Sequence, residues 1–390
     1  MKKQTLLIII IISLLVGLVS FFSPNASLAK DTGWAVSTRS AGGWSVTGEM
    51  EIERMHHTAT LLPDGKVLVA GGANNTYLSS AELYDPISMT WAMTNPMHTP
   101  RAFHSATLLG DGTVLVVGGK SESSTFTDSV EIYNPVTGNW TGVIPMLTAR
   151  YSHTATLLQN GKVLVSGGYN STDGYLKSAE LYDPATGLWT SAGEMSVKRY
   201  LHSATLLTDG HVLVVGGSGT QTYAVADTFD PVTESWFTSG LLVTGRYNHT
   251  AVRLPDGKVL VAGGYNASLS EFLASVEIYD PGLGTWSEAN PMIEGREGHK
   301  AILLLSGDVL VVGGSNAGPT YLSSTELYDY AWRSAGSMTT SRTNHTATLL
   351  TNGQVLVAGG YNSTDYTLNS AELYEQPNVD EMLFLPLILR

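Results

Sequence analysis

The residues of this chain best suited to bind ligands or transfer protons are arginines and histidines that recur as pairs. In each pair the arginine precedes the histidine by three positions, and the pattern occurs seven times: Arg54/His57, Arg101/His104, Arg150/His153, Arg199/His202, Arg246/His249, Arg296/His299 and Arg342/His345. A guanidinium binds carboxylate or phosphate groups, whereas an imidazole transfers protons or binds metal ions. Either these residues form a ring of ligand-binding groups, or they belong to a structural unit that the chain repeats.

An acidic residue accompanies each of these arginines at an equivalent position. The seven acids are Glu82, Glu131, Glu180, Asp227, Glu277, Glu326 and Glu372. Because carboxylates and arginines match one for one, we expect partly buried arginine–carboxylate pairs that fix one repeat to the next. The alternative is that the guanidinium groups stay free and form a positive rim.

The recurring histidines also raise the hypothesis of a metal site. Zinc or copper requires ligands that converge to within about 2 Å of one ion. Copies of one residue in successive repeats are spread apart instead. We therefore predict structural histidines that form hydrogen bonds at the start of a strand, with no metal and no cofactor.

The segment that follows each histidine predicts a β-hairpin. In the third repeat, His153 to Leu158 is the first strand, Asn160-Gly161 is the turn, and Lys162 to Ser166 is the second strand. Asn-Gly favours a type I′ turn, which requires positive φ at both central positions. The second strand is apolar on both faces, as in strands buried between sheets. It ends at Gly167-Gly168, a pair that predicts a bend or the close approach of another strand.

Two more strands complete each repeat. The third reads Ser-x-Glu-x-Tyr-Asp-Pro, as at Ser178 to Pro184, and its proline cannot donate into a continuing ladder. The fourth holds a tryptophan thirteen residues before the next histidine, at Trp44, Trp91, Trp140, Trp189, Trp236, Trp286 and Trp332. A spacing that stays constant while nearby loops change length predicts one structural unit copied along the chain.

The glycine pair, the tyrosine and the tryptophan seven positions later resemble a kelch repeat. The resemblance extends from about Gly42 to Tyr374, with a period of roughly 50 residues. It implies an all-β, seven-bladed β-propeller of four-stranded blades. Residues 342–374 lack a terminal tryptophan, so we expect the Trp44 strand to complete that last blade and close the ring, which protects the sheet edges.

Kelch innermost strands begin near one mouth of the central channel, so the resemblance places the candidate site there. Blades five and six deviate most from the repeat, at Arg253, Glu297 and Lys300, and in blades three to five a tyrosine follows the arginine. A tyrosine beside an arginine is a platform for a sugar or a peptide, with inter-blade packing as the alternative. The predicted ligand-binding residues are Arg150, Tyr151, Arg199, Tyr200, Arg246, Tyr247, Arg253, Arg296, Glu297 and Lys300.

The composition excludes several classes of function. Of the 390 residues none is cysteine, which rules out disulfides, thiolate metal sites and a thiol nucleophile. The formal net charge of −13 makes nucleic acid and anionic lipid poor partners.

The N-terminal sequence predicts export. Residues 1–29 combine a basic start, an apolar run from Leu6 to Phe22 and a small-residue cleavage site at Ser27 to Ala29, as in a signal peptide. The alternative is an uncleaved membrane anchor. Residues 30–41 are interpreted as a linker, 42–376 as the propeller and 377–390 as an apolar tail that docks on the propeller or serves as an export or attachment signal.

These observations favour an exported, non-catalytic module that binds a protein or a glycan. We expect a monomer with no transmembrane segment in the mature chain. The alternative is a carbohydrate-active enzyme similar to sialic-acid mutarotase or epimerase propellers. Galactose-oxidase-like propellers also share the fold, but their radical cofactor needs a tyrosine cross-linked to a cysteine, which this chain cannot form.

Overall fold

The computed structural model of the protein describes residues 42–122, 126–317 and 320–376. The predicted signal peptide, linker and tail (1–29, 30–41 and 377–390) lie outside these residues and stay predictions. Across the described ranges, no helix is long and apolar enough to cross a membrane. The chain there is built from β-strands.

The described strands form seven four-stranded antiparallel sheets, one per blade, ordered below from the innermost strand outwards. Blade one contains β2 (Thr58–Leu61), β3 (Val67–Ala70), β4 (Ala81–Asp85) and β5 (Thr90–Thr94). Blade two contains β6 (Ser105–Leu108), β7 (Val114–Val117), β8 (Val130–Asn134) and β9 (Asn139–Val143). Blade three contains β10 (Thr154–Leu157), β11 (Val163–Ser166), β14 (Ser178–Asp183) and β15 (Leu188–Glu194). Blade four contains β16 (Ser203–Leu206), β17 (Val212–Val215), β18 (Val225–Asp230) and β19 (Ser235–Leu241).

The remaining blades follow the same order. Blade five contains β20 (Thr250–Arg253), β21 (Val259–Ala262), β24 (Val276–Asp280) and β25 (Thr285–Ala289). Blade six contains β26 (Lys300–Leu303), β27 (Val309–Val312), β30 (Ser324–Tyr328) and β31 (Trp332–Ser337). Blade seven contains β32 (Thr346–Leu349), β33 (Val355–Ala358), β36 (Ala371–Glu375) and β1 (Gly43–Val46). Short hairpins extend four of the loops between second and third strands: β12 (Tyr169–Asn170) with β13 (Gly174–Tyr175), β22 (Tyr265–Asn266) with β23 (Glu271–Phe272), β28 (Ser315–Asn316) with β29 (Thr320–Tyr321), and β34 (Tyr361–Asn362) with β35 (Tyr366–Thr367).

Blade seven confirms the predicted closure of the ring. Its outermost strand β1 comes from the N-terminal side of the propeller and pairs antiparallel with β36, with Trp44 opposite Tyr374. The Trp44 indole N–H also donates to the Thr325 hydroxyl of blade six at 3.1 Å. The first described strand therefore joins the last blade, as the missing tryptophan predicts.

One apolar cluster fills each interface between neighbouring blades. Between blades three and four, for example, Leu164 and Leu181 pack against Val212, Val214 and Phe229. The second strand of every blade is fully buried, which confirms the prediction from its two apolar faces. Burial of apolar surface between blades is thus the main force that holds the ring together.

The repeated tryptophan links each blade to the one before it. Trp189 in blade three packs on Tyr182 at a ring distance of 5.0 Å, and its indole N–H donates to the carbonyl of Ile144 in the segment that leaves blade two. The glycine pair of each blade contacts the following blade. A Cβ on Gly167 would lie 2.6 Å from the carbonyl oxygen of Arg199, so the pair is needed where the next Arg-x-x-His segment approaches.

A closed ring of backbone hydrogen bonds surrounds the channel where the innermost strands begin. It is formed by the residue before each repeated histidine, all with φ between 49° and 62°. Each N–H donates to the carbonyl of the equivalent residue in the preceding blade, at 3.0 to 3.3 Å. The members of this backbone ring are His56, Phe103, Ser152, Leu201, Asn248, Gly298 and Asn344. Because strand directions alternate, the loops after the glycine pairs open on the same face, which we call the histidine face.

Candidate functional site

The arginines of the Arg-x-x-His pattern are buried in the blades. Arg150 has no exposed surface, and its guanidinium donates to Glu180 at 2.6 Å and to the carbonyls of Gly167 and Ser178 at 2.7 and 3.0 Å. The same ion pair occurs in each of the seven blades. The predicted arginine–carboxylate pairs are therefore confirmed.

Each pair lies within one blade rather than between two. The second carboxylate oxygen of Glu180 accepts the backbone N–H of Leu147, which belongs to the segment arriving from blade two. The carboxylate thus fixes the connection between blades, while the arginine fixes the carboxylate. The prediction that Arg150, Arg199, Arg246 and Arg296 present ligand-binding groups at the channel mouth is corrected, because their side chains are fully buried.

The repeated histidines are buried as well. In six of the seven, Nε2 lies 2.8 to 3.1 Å from the hydroxyl of the first innermost-strand residue of the preceding blade. Burial lowers the pKa of each imidazole, to about 3 for His153 and His249. The predicted structural role is confirmed for these six, and in the described ranges no three His, Asp or Glu side chains converge as a metal site requires.

Arg253 does not belong to the histidine face. It ends β20, four residues after His249, so it lies at the opposite end of the innermost strand near the Asp256-Gly257 turn. Its exposed guanidinium donates to the carbonyl of Leu206 at 3.1 Å. The prediction that places Arg253 in one site with Glu297 is therefore corrected.

Tyr151 and Tyr200 join a continuous group of aromatic side chains on the histidine face. The group, which we call the aromatic patch, consists of Phe103, Phe126, Tyr151, Tyr169, Tyr175 and Tyr200. Phe126 stacks on Tyr151 at 5.1 Å, and Tyr175 lies 5.3 Å from Tyr200. All six residues are partly exposed, and their rings pack against one another across neighbouring blades. Burial raises the pKa of Tyr151 to about 12, which keeps its hydroxyl neutral.

Glu297 lies in a pocket of about 310 Å³ on the same face, lined by residues of blades five, six, seven and one. Most of the residues that line this mouth pocket are polar: Met55, Asn248, Glu297, Gly298, Ser315, Tyr321, Thr343, Asn344 and Tyr361. Gly298 is the member of the backbone ring that has no side chain, and a Cβ there would lie 2.5 Å from the Thr343 hydroxyl. Thr343 therefore approaches this position closely because the residue there is glycine.

The carboxyl group of Glu297 is the acidic group of this pocket. Burial raises the pKa of Glu297, although the Asn248 side-chain amide donates to its carboxylate at 3.1 Å. Burial also raises the pKa of neighbouring Tyr247 to about 12, with a contribution from the negative charge of Glu297. Tyr247 packs on Tyr265 at 5.7 Å, so it extends the aromatic surface towards the pocket.

Sequence reasoning missed Asn248, Gly298 and Asn344, three neighbouring members of the backbone ring. The residue types themselves indicate this position, because Asn and Gly are the residues that most readily adopt positive φ. They stand directly before a repeated histidine in blades five to seven, where other blades have residues such as Phe or Leu. Tyr321 and Tyr361 come from the variable loops after the glycine pairs and carry no such signal.

Comparison with known proteins agrees with this architecture. The KLHDC2/KLHL20/DRC7 Kelch-repeats domain model matches residues 34–217 and 144–314. The chain belongs to the kelch-repeat family. Among solved structures, it is similar to a copper-bound fungal alcohol oxidase described as having catalytic diversity among the AA5 family, with 18% identity, a TM-score of 0.71, and coverage of 88% of this chain and 78% of the oxidase. No match is found among curated protein sequences.

The residues of this kelch propeller do not fit the copper chemistry of such oxidases. The chain has no cysteine from which the cross-linked cofactor of galactose-oxidase-like enzymes could form. The described residues also contain no convergent set of His, Asp or Glu ligands. At 18% identity, the likeness to the oxidase shows the shared fold alone.

Proposed function

We propose that this protein is an exported, non-catalytic kelch propeller that binds a protein or a glycan on its histidine face. The kelch fold supports a protein-interaction module in general. The observation that carries the proposal is the position of the aromatic patch and the mouth pocket on one face. The shared arginines and histidines serve the fold, which leaves these side chains for recognition.

The two parts of this surface offer complementary contacts. The partly exposed rings of Tyr151 and Tyr200 provide flat apolar area for a sugar ring or for aliphatic side chains. The carboxamides of Asn248 and Asn344 and the hydroxyl of Ser315 line the pocket and can both donate and accept hydrogen bonds. A largely neutral ligand that carries hydroxyl or amide groups fits this combination best.

The test of binding is a glycan array and a peptide-display library, each probed with residues 30–390. We expect Tyr200→Ala to weaken the ligand found by roughly tenfold, the amount that loss of about 1.4 kcal/mol of aromatic contact produces. Tyr330→Ala is the matched control, because Tyr330 is 73% exposed in the turn between β30 and β31, on the opposite face. Equal losses in both variants, or no ligand in either format, would count against the proposal.

Export is tested separately from binding. The apolar segment and small-residue site in residues 1–29 support it. We expect the full chain to reach an extracytoplasmic fraction with an intact mass that lacks residues 1–29. A mature protein that retains this segment would instead support the anchor alternative.

One observation favours the enzymatic alternative, a carbohydrate-active propeller of the mutarotase or epimerase type. Glu297 is a carboxyl group with a raised pKa inside a pocket, as a general acid or base requires. Mutarotation of sialic acid and of aldoses, followed by NMR, tests this candidate. Turnover that Glu297→Gln abolishes without loss of thermal stability would replace the non-catalytic proposal.

A further inference from the structure

Lys300 breaks a contact that the other blades share. The first residue of the innermost strand is Thr or Ser in six blades, where its hydroxyl contacts the histidine of the next blade. In blade six this position is Lys300. Nε2 of His345, the histidine that faces it, consequently has no hydrogen-bond partner among the described residues.

The charge of Lys300 acts on several blades around the channel. Burial lowers the pKa of His56 in blade one to about 3, and Lys300 contributes to that shift. Burial and the neighbouring arginines lower the pKa values of His57, His299 and His345, and the Lys300 charge lowers each further. Lys300 begins β26, the innermost strand of blade six, and is partly exposed, so its side chain lies at the wall of the channel.

No described carboxylate neutralises this ammonium. Lys300 forms no ion pair within the described ranges, and burial without a compensating charge lowers its own pKa. The nearby arginine of blade six is paired with Glu326, and Glu297 is held by Asn248 at the mouth. The neighbouring imidazoles are neutral because their pKa values are lowered. Lys300 is partly exposed, so its ammonium, which has no described counter-charge, stays accessible from the channel.

Residues with hydroxyl groups occupy the positions on both sides of Lys300. The innermost strand of blade six lies between those of blades five and seven, and the positions equivalent to Lys300 there are Thr250 and Thr346. Each hydroxyl contacts one imidazole, His299 or His57, at 2.9 or 3.0 Å. When the imidazole donates its Nε2–H, the hydroxyl that accepts it can donate to an anion; for Thr346 this would replace a long contact with the Ala358 carbonyl at 3.5 Å.

We propose that Lys300, with the hydroxyls of Thr250 and Thr346, forms a binding site for an oxyanion inside the channel. The ligand class is an inorganic oxyanion or the carboxylate of a small molecule, since both present oxygen acceptors to an ammonium and hydroxyl groups. This site is separate from the proposed ligand surface on the histidine face. Failure of one proposal therefore leaves the other intact.

The test is isothermal titration of residues 30–390 with sodium phosphate, sulfate and acetate at fixed ionic strength, with chloride as background. We expect Lys300→Thr, which copies the other blades, to bind the preferred anion at least tenfold more weakly than the unmodified chain. Lys300→Arg should retain binding within about threefold, because it keeps the positive charge. Preference for phosphate or sulfate identifies an inorganic ligand, and preference for acetate identifies a carboxylate.

The control variant is Lys258→Thr, which removes an exposed lysine paired with Asp280 at 3.4 Å outside the channel. It should bind like the unmodified chain. Lys300→Thr is expected to fold, because its new hydroxyl reaches the position that contacts His345, and thermal unfolding checks this. Equal anion affinity in Lys300→Thr and the unmodified chain, or no binding of any of the three anions, overturns the proposal.

Discussion

Blades three and six share their scaffold residues but differ at the channel. In blade three, Ser152 occupies the backbone ring and the Thr154 hydroxyl contacts His202. In blade six, Gly298 occupies the ring and Lys300 replaces the hydroxyl. Both blades keep the buried ion pair, Arg150–Glu180 or Arg296–Glu326. The two blades thus differ at these channel residues, and they agree at the buried ion pair whose carboxylate fixes the connection to the preceding blade.

Of the changes considered, acid should lower the free energy of unfolding of the shared scaffold most. The folded-state pKa values of the seven repeated histidines lie below 6.5, so below about pH 6.5 the unfolded chain binds protons that the folded chain cannot. Their contribution is present above the unfolded pKa and is lost as the pH falls towards about 3. Between about pH 7 and 5.5, we expect the free energy of unfolding to fall by roughly 1 kcal/mol per histidine, roughly 7 kcal/mol in all.

Urea denaturation at both pH values measures this effect. His202→Gln removes one of the imidazoles between blades three and four, so its unfolding should take up about one proton fewer than that of the unmodified chain. A free energy of unfolding that is the same at both pH values would show that the histidines do not carry the acid sensitivity.

Removal of one buried carboxylate that pairs with a repeated arginine should cause the next largest loss of unfolding free energy. Glu180→Ala leaves Arg150 buried without its counter-charge and frees the N–H of Leu147, so we expect a loss of about 3 to 5 kcal/mol in unfolding free energy. Glu297→Ala, at the divergent mouth of blade six, should cost less than about 1 kcal/mol, because the Glu297 carboxylate has no cationic partner in the described structure. Chemical denaturation measures the unfolding free energy of both variants. Similar losses in the two would contradict the view that Glu180 stabilises the fold and Glu297 does not.

Exchanging the backbone-ring residues of blades three and six should change the free energy of unfolding least. Gly298→Ser places a side chain where Cβ would lie 2.5 Å from the Thr343 hydroxyl, at a φ of 62°. We expect it to cost about 1 kcal/mol and to narrow the mouth pocket. Ser152→Gly relieves the positive φ of 49° in blade three and should change stability by less than about 1 kcal/mol. If Gly298→Ser is neutral in thermal unfolding and in ligand binding, the glycine does not shape the pocket.

The propeller is predictable from the sequence because each predictive residue acts through local or repeated contacts. Trp44 stands in register with His57, so the residue spacing alone predicts the strand that completes blade seven. Arg253 is misplaced by the same reasoning, because strand length decides which face a residue reaches, and four residues carry it from one end of β20 to the other. The mouth pocket depends on where residues of several blades, such as Asn248, Tyr321 and Tyr361, come together, which spacing along the chain does not encode.

The pairing of β1 with β36 sets Gly43 directly opposite Glu375. The two ends of the propeller are therefore neighbours at one outer corner, and a short linker could join them. New termini opened in any other connection between blades would leave every strand with its present partners. A circularly permuted chain should then assemble the same toroid, so the choice of where the polypeptide starts is independent of the architecture it builds.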